Sequence, residues 1–351
     1  MNALCLNLLN VKGEASSAAL AHDIVQIYES ENTKDLGPFF DFLLSEFDLD
    51  PDLLIKATKA YRDSRTPENL RALMLASEAR RQDLFRRINQ ARNGTAMLVD
   101  FRGRLLARLQ DNSDWKRIDL DLRHLLSSWF NRGFLRVSRI DWHSPATILE
   151  KIMRYEAVHK MYGWNDLRRR LADDRRCYAF FHPALPDEPL IFVEVALVQG
   201  LAGSVAGILD KEAAINPGEQ QDTAIFYSIN DCQIGLRGIS FGDFLIKQVV
   251  AEIQKELPNI NTFSTLSPIP GFREWLSREM VDDASTLLDA AGKAFLSEVD
   301  GGEWRSDEQS IAQIKPVVVS RKWWKLISGT SERVELCAGQ AAWSRVASAT
   351  G

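Results

Sequence analysis

The chain has 351 residues, 45% hydrophobic and 26% charged, with a formal net charge of −5. This is the composition of a globular protein of about two domains, and the acidic balance argues against nucleic acid as the main partner. No run of 18 uncharged apolar residues occurs, so no membrane span is expected.

The N-terminus, MNALCLNLLNVKG, lacks the basic region and small-residue cleavage site of a secretory signal. Four scattered cysteines (Cys5, Cys177, Cys232, Cys337) form no C-x-x-C, which predicts neither a zinc site nor a disulfide framework. A reducing, cytoplasmic setting fits this usage.

Residues 14 to 132 carry helical patterns. Ala19, Ile24, Val25 and Ile27 begin one. Thr66-Pro67-Glu68 opens another as an N-cap with proline at the first helical position, continued by Leu70, Leu73, Leu75, Leu84 and Ile88. Asp119 to Phe130 repeats the design with Leu120, Leu122, Leu125 and Trp129. The prediction is a helical bundle over residues 1–132, a scaffold or an oligomerisation surface. Asn131-Arg132-Gly133 reads as its stop.

Beyond it the character changes. Ser144-Pro145 caps a helix over Ala146 to Tyr155. Cys177 to Phe181 and Leu190 to Val198 read as strands, joined by a proline-bounded loop from His182 to Pro189. The second strand is a near-continuous apolar run, which predicts a sheet covered on both faces. Glu194 in its middle must be paired, protonated or at an edge, and the wet side of a sheet is the commonest place for such an acid. Gly207 to Gln221 reads as a connection, helical at its start. Ala284 to Leu296 reads as a helix, 301–313 as loose and polar, and Lys322-Trp323-Trp324-Lys325 as an aromatic pair packed on a helix.

The densest signal runs from Thr223 to Trp275. Thr223 to Ile229 is β-rich and bounded by Asn230-Asp231. Gly242 to Leu257 places Ile246, Val249, Val250, Ile253 and Leu257 on one helical face, and Pro258 stops it. Thr262 to Leu266 is a second short strand. Between the first strand and the helix lies Gly235-Leu236-Arg237-Gly238-Ile239-Ser240-Phe241-Gly242. Glycines let a backbone approach a ligand, and a helix N-terminus seats phosphate. The spacing matches neither the dinucleotide fingerprint nor a P-loop. A tight turn that needs glycine for backbone reasons is the competing reading.

From Asn131 onward the chain resembles malonyl-CoA decarboxylases. The segments that carry the resemblance include Trp142-His143-Ser144-Pro145, Tyr155-Glu156-Ala157-Val158-His159, Gly235-Leu236-Arg237-Gly238, and Phe263-Ser264-Thr265-Leu266-Ser267-Pro268-Ile269-Pro270-Gly271-Phe272. The resemblance implies an α+β fold: an N-terminal helical bundle (1–132) used in oligomerisation, then an acetyltransferase-like (GNAT-type) mixed sheet flanked by helices (133–337), with 338–351 as an atypical tail. It implies a homotetramer acting on malonyl-CoA and yielding acetyl-CoA, with neither membrane nor nucleic acid as partner. No cofactor or metal is needed, coenzyme A being part of the substrate. It implies that Ile234, Gly235, Leu236, Arg237, Gly238, Ile239 and Ser240 hold the coenzyme A end, and that Ser264 is catalytic.

Decarboxylation of a malonyl thioester sends the electrons of the breaking C–C bond into the thioester carbonyl. The protein must stabilise the enolate oxygen with aimed donors and deliver a proton to carbon. The Ser264 hydroxyl fits either task; a local backbone bond is its plainer role. The family's histidine lies in a C-terminal segment that has no match here. All five histidines (His22, His124, His143, His159, His182) precede the glycine loop. The expectation is a chain truncated or frame-shifted near residue 337. The alternative function is therefore an inactive remnant that binds coenzyme A thioesters. An acyl-CoA N-acyltransferase would need a base for an amine acceptor, and no residue suggests one.

Overall fold

The computed structural model describes residues 1–31, 35–202, 204–215, 220–239 and 242–266, with short pieces at 277–278, 281, 336–337 and 340–342. The predicted helix at 284–296, the polar stretch at 301–313, the Lys322–Lys325 aromatic pair and Ser240 lie outside these residues, as does nearly all of the atypical tail.

Eight helices precede the sheet: α1 (Asn2–Asn10), α2 (Glu14–Ser30), α3 (Gly37–Phe47), α4 (Pro51–Asp63), α5 (Pro67–Ala76), α6 (Arg80–Asn89), α7 (Gly94–Leu106) and α8 (Lys116–Trp129). Helix α1 precedes the predicted start at residue 14. The predicted start of α5 is present: Thr66 Oγ1 accepts the Asn69 N–H at 3.2 Å with Pro67 as first helical residue. Asp50 caps α4 in the same way, accepting from Asp52 and Leu53 N–H, both at 3.0 Å.

The bundle core collects on Phe101, whose ring meets Tyr28, Phe39 and Phe40 edge-on at 6.2, 5.8 and 5.3 Å and lies tilted to Phe85 at 6.2 Å. One buried guanidinium ties its far side. Arg81 donates to Asp121 at 2.5 Å and to Asp48 at 2.8 Å. The apolar pattern of α5 and α8 is only partly inward: Leu70, Leu75 and Leu120 are exposed.

The sheet holds β1 (Arg136–Ile140), β2 (Arg175–Phe181), β3 (Ile191–Val198), β4 (Thr223–Asp231) and β5 (Thr262–Thr265), extended by short β6 (Leu336–Cys337) and β7 (Gln340–Ala342). Its order is β1-β2-β3-β4-β5-β7-β6. β1 to β4 form an antiparallel meander, and β4 pairs with β5 in parallel. Parallel neighbours need a crossover, supplied by the glycine loop and α12 (Gly242–Glu256). The fold is thus a helical bundle followed by a mixed, acetyltransferase-like sheet.

Every residue of β3 up to Leu197 is buried, as its apolar run predicts for a strand covered on both faces. On the first face lie Val193, Val195, Leu197, Ala224 and Phe226, under Leu245, Val249 and Ile253 of α12 together with Val99, Leu126 and Phe130 from the bundle. The bundle and the sheet therefore share one core. The second face is covered by α9 (Ala146–Tyr155), α10 (Trp164–Arg170) and α11 (Val205–Leu209).

Strand β1 and helix α10 are additions to the sequence reading. β4 runs to Asp231, two residues past the expected stop at Ile229, because the Asn230 side chain finds partners inside the fold: it donates to Glu156 and accepts the Ala157 N–H.

Replacing Phe101 with Ala is expected to destabilise the protein by about 3–5 kcal/mol through lost transfer energy and the cavity left behind. Denaturant unfolding of the two proteins checks this; a loss below 1 kcal/mol would mean that the ring is not the centre of the bundle core.

Candidate active site

The loop after β4 is built against the bundle. Ile234–Leu236 form a single 3-10 turn closed by Leu236 N–H to Gln233 C=O at 2.9 Å and Arg237 N–H to Ile234 C=O at 3.0 Å. Gly235 is buried here. A Cβ at this position would stand 1.8 Å from the Val99 carbonyl oxygen of α7, so only glycine fits. Gly238 adopts φ +80°, the left-handed region. Leu236 and Ile239 anchor in the shared core, whereas Ile234, Arg237 and Gly238 are exposed. The plain backbone reason for the first glycine is therefore real, and it brings an exposed stretch of loop to the bundle surface.

Three bundle residues that the sequence reading missed complete this region. Arg102, almost wholly buried on α7, donates through Nη1 to the carbonyls of Gly235 at 2.7 Å and Arg237 at 3.0 Å. Its Nε donates to Asp119 of α8 at 2.8 Å. Arg123, exposed on α8, stands beside Gly238, its guanidinium 3.9 Å from where a Cβ would be. Two exposed cations, Arg123 and Arg237, thus belong to this region.

Ser264 is buried in β5, in register with Ile225 of β4 and Ala342 of β7. That register puts it on the second sheet face with Ile225, Ala196 and Tyr227. β4 and β5 stay paired only from Thr223↔Thr262 to Phe226↔Thr265, and the last bond to β4 is Leu266 N–H to Phe226 C=O at 2.8 Å. From Tyr227 onward β4 continues without a described strand on that side. Ser264 thus lies near the carboxyl end of the described parallel pair, on the strand beside the one that leads into the glycine loop.

Glu194 is not at a wet edge. It is fully buried on the second face, where Arg170 of α10 donates to its Oε2 at 2.5 Å. Its Oε1 has no partner of normal hydrogen-bond geometry among the described residues. Burial, only partly offset by Arg170, pushes its carboxyl up to about 7. A second carboxylate, Glu156, lies 3.8 Å from the same guanidinium. Glu156 accepts from the Val158 and His159 N–H groups at 2.8 and 2.6 Å, from Ser228 Oγ, and from Asn230 Nδ2 at 2.8 Å. This polar knot pins the turn after α9 to β4.

The histidines divide plainly. His159 Nε2 lies 3.1 Å from the Tyr227 carbonyl, to which it donates, and burial lowers its basicity. His182 lies tilted against Phe130 with ring centroids 4.6 Å apart and accepts the Ala184 N–H at 3.1 Å. His143 is exposed in the turn after β1; His22 and His124 belong to α2 and α8. Cys5, Cys177 and Cys232 are buried free thiols, and burial pushes their acidity far from the reactive range. Among the described residues no three His, Cys, Asp or Glu side chains gather into a metal-ligand set, and no helix is long and apolar enough to cross a membrane.

A meander that turns into a parallel pair, with a glycine loop between the pair and a buried serine on its second strand, defines a protein of the acetyltransferase-like class carrying an N-terminal helical bundle. Residues 133–335 match the malonyl-CoA decarboxylase C-terminal domain, and residues 47–130 match the malonyl-CoA decarboxylase N-terminal domain. The chain belongs to the malonyl-CoA decarboxylase family. It is similar to the crystal structure of malonyl-CoA decarboxylase from Rhodopseudomonas palustris, with a TM-score of 0.85 and 47% identity over 95% of this chain and 81% of that one. The structure from Agrobacterium vitis gives a TM-score of 0.83 and 45% identity, covering 91% and 78%. The mitochondrial malonyl-CoA decarboxylase of Anser anser anser is 38% identical over 253 residues, 69% of this chain and 49% of that protein. The chain spans about half the length of the curated relatives it matches.

The raised carboxyl of Glu194 has a definite sign. The folded protein holds this proton up to about pH 7, whereas an unfolded chain releases it near 4.5, so ionisation lowers stability as pH rises between the two values. Glu194→Gln removes this contribution. Its melting temperature, measured from pH 4.5 to 7, is expected to fall less with rising pH than that of the unsubstituted protein. Parallel profiles would mean that Glu194 ionises normally.

Proposed function

We propose that this chain decarboxylates malonyl-CoA to acetyl-CoA and carbon dioxide. The observation that carries the reading is the pairing of a loop suited to the coenzyme A diphosphate with a buried serine on the neighbouring parallel strand. The loop offers an exposed left-handed glycine that follows Arg237 in the chain and has Arg123 beside it. The pantetheine arm then runs from the loop along the carboxyl end of β4, and the thioester reaches Ser264. In this reading Ile234 to Ser240 form the cradle, although Ser240 is outside the described residues and Gly235 serves mainly to let the loop meet α7.

At the thioester the C2–carboxylate bond breaks and its electron pair moves onto the carbonyl oxygen. Leaving carbon dioxide is helped by exclusion of water, as burial around Ser264 favours. The Ser264 hydroxyl donates to the malonyl group or its enolate oxygen, and a proton then returns to C2 of the enolate. The reaction uses the thioester itself as electron sink, and the proposal includes no cofactor. The two-domain division near residue 132, oligomerisation through the bundle as a tetramer and a cytoplasmic location belong to the same proposal.

A second reading is a protein that binds coenzyme A thioesters without turnover. It is favoured by the disposition of the histidines, since His159 and His182 are engaged by the Tyr227 carbonyl and the Ala184 amide.

Carbon dioxide release from malonyl-CoA by the purified chain, beside Ser264→Ala, separates the two. Release that the variant lowers by about 10²-fold or more, the size expected for a donor at a developing oxyanion, supports decarboxylation. Release untouched by the variant removes Ser264 from the mechanism. No release, with acetyl-CoA still raising the melting temperature, supports the binding reading; neither effect overturns both.

A further inference from the structure

We propose that Arg102 is a positioning residue for coenzyme A: it sets the glycine loop from behind so that the Gly238 amide faces the ligand. The inference rests on the reading of this loop as the coenzyme A cradle. Arg102 sits where helical periodicity calls for an apolar side chain, four residues after Leu98 and three before Leu105, both of them fully buried. A buried cation at such a place needs strong partners. Among the described residues it has three: the carbonyls of Gly235 and Arg237 at 2.7 and 3.0 Å, and Asp119 at 2.8 Å.

The two carbonyls decide what the loop presents. A peptide is planar and trans, so its N–H points opposite to its C=O. With the Gly235 carbonyl turned to Arg102, the Leu236 N–H turns away and closes on Gln233 inside the turn. With the Arg237 carbonyl turned to the same nitrogen, the Gly238 N–H is directed away from the guanidinium. Gly238 is exposed there and can take φ +80° without a side chain to oppose it. Beside it stands the Arg123 guanidinium, 3.9 Å from where a Gly238 Cβ would be, and Arg237 precedes it in the chain; an amide with cations so near suits a phosphate oxygen.

Asp119 completes the device. It holds Nε and so fixes the plane of the guanidinium, which lets one nitrogen serve both carbonyls. A lysine cannot reproduce this arrangement: its ammonium reaches a carbonyl as a point charge and has no planar fork to hold Asp119 at the same time. The bundle, through α7 and α8, thereby sets the geometry of a loop that belongs to the sheet.

The test measures binding of acetyl-CoA and of acetyl-pantetheine, which lacks the nucleotide and its diphosphate, by calorimetry. It compares the full chain with Arg102→Lys and Asp119→Asn. Asp119→Asn keeps an oxygen that can accept from Arg102 Nε and removes only the charge, so it is the milder of the two changes. The expectation is acetyl-CoA binding weakened roughly tenfold in each folded variant, the size of one lost charge-assisted hydrogen bond, with acetyl-pantetheine binding unchanged. Amide hydrogen exchange over residues 233–239 should also quicken without ligand. A residue that merely joins bundle to sheet would lower the melting temperature and leave the preference for acetyl-CoA over acetyl-pantetheine as it was; that result overturns the proposal. If the unsubstituted chain binds neither ligand, or binds both equally, the cradle reading itself fails, whatever the variants do.

Discussion

Backbone meets backbone where Gly235 lies against the Val99 carbonyl, and the rest of the molecule is arranged around that contact. The missing side chain permits an approach that a Cβ would block at 1.8 Å. Arg102 then bonds the carbonyls on either side of Leu236. Leu236 in turn enters the core formed by Val99, Leu126 and Phe130 of the bundle with the first face of the sheet. The bundle is therefore one wall of the sheet's core, and the exposed part of the loop is presented by both parts of the chain.

The opposite face is organised by charge. Arg170 faces two carboxylates, Glu194 and Glu156, and donates through its other arm to the His159 carbonyl. Buried ion pairs of this kind add little net stability, yet losing one partner costs about 3–5 kcal/mol because a bare charge stays behind. Their effect here is to fix geometry. The turn from Glu156 to His159 is held on β4 by side chains of β4 itself, and the path of the chain across the second face follows from it.

Much of this was legible in the sequence where local pattern and tertiary environment agree. The apolar run of β3, the helical spacing of α12 and the Thr66-Pro67 start of α5 each state their structure locally. β1 escaped because Arg136-Val137-Ser138-Arg139-Ile140 is a polar edge strand with one fully buried residue, and α10 because Trp164-Asn165-Asp166-Leu167-Arg168-Arg169-Arg170 is short and charged. The glycines of the loop stood out; the reason for Gly235 did not, since Val99 is far away in sequence. Arg102 binds a carbonyl 133 residues distant. Its one local trace is a charge at an apolar position of a helix. Glu194 was noticed as an acid inside an apolar strand, but its partner lies on a different element, so a wet edge was the natural expectation.

The register of β3 on β4 shifts at Glu194–Val195: Glu194 faces Ser228 and Val195 faces Phe226, which leaves Tyr227 as the extra residue of a bulge. Strand residues alternate between faces, so one added residue exchanges the two sets beyond it. Ser228 and Asn230 thereby share a face with Ile225, which an unbroken alternation would forbid. Were the strand to pair without the bulge while keeping Tyr227, Ser228 and Asn230 would point into the shared apolar core and Ile229 toward Glu156. Deleting Tyr227 would instead leave the faces unchanged, because Phe226 and Ser228 already oppose Val195 and Glu194 in ordinary alternation. The polar end of β4 therefore depends on where the bulge sits rather than on the number of residues in the strand.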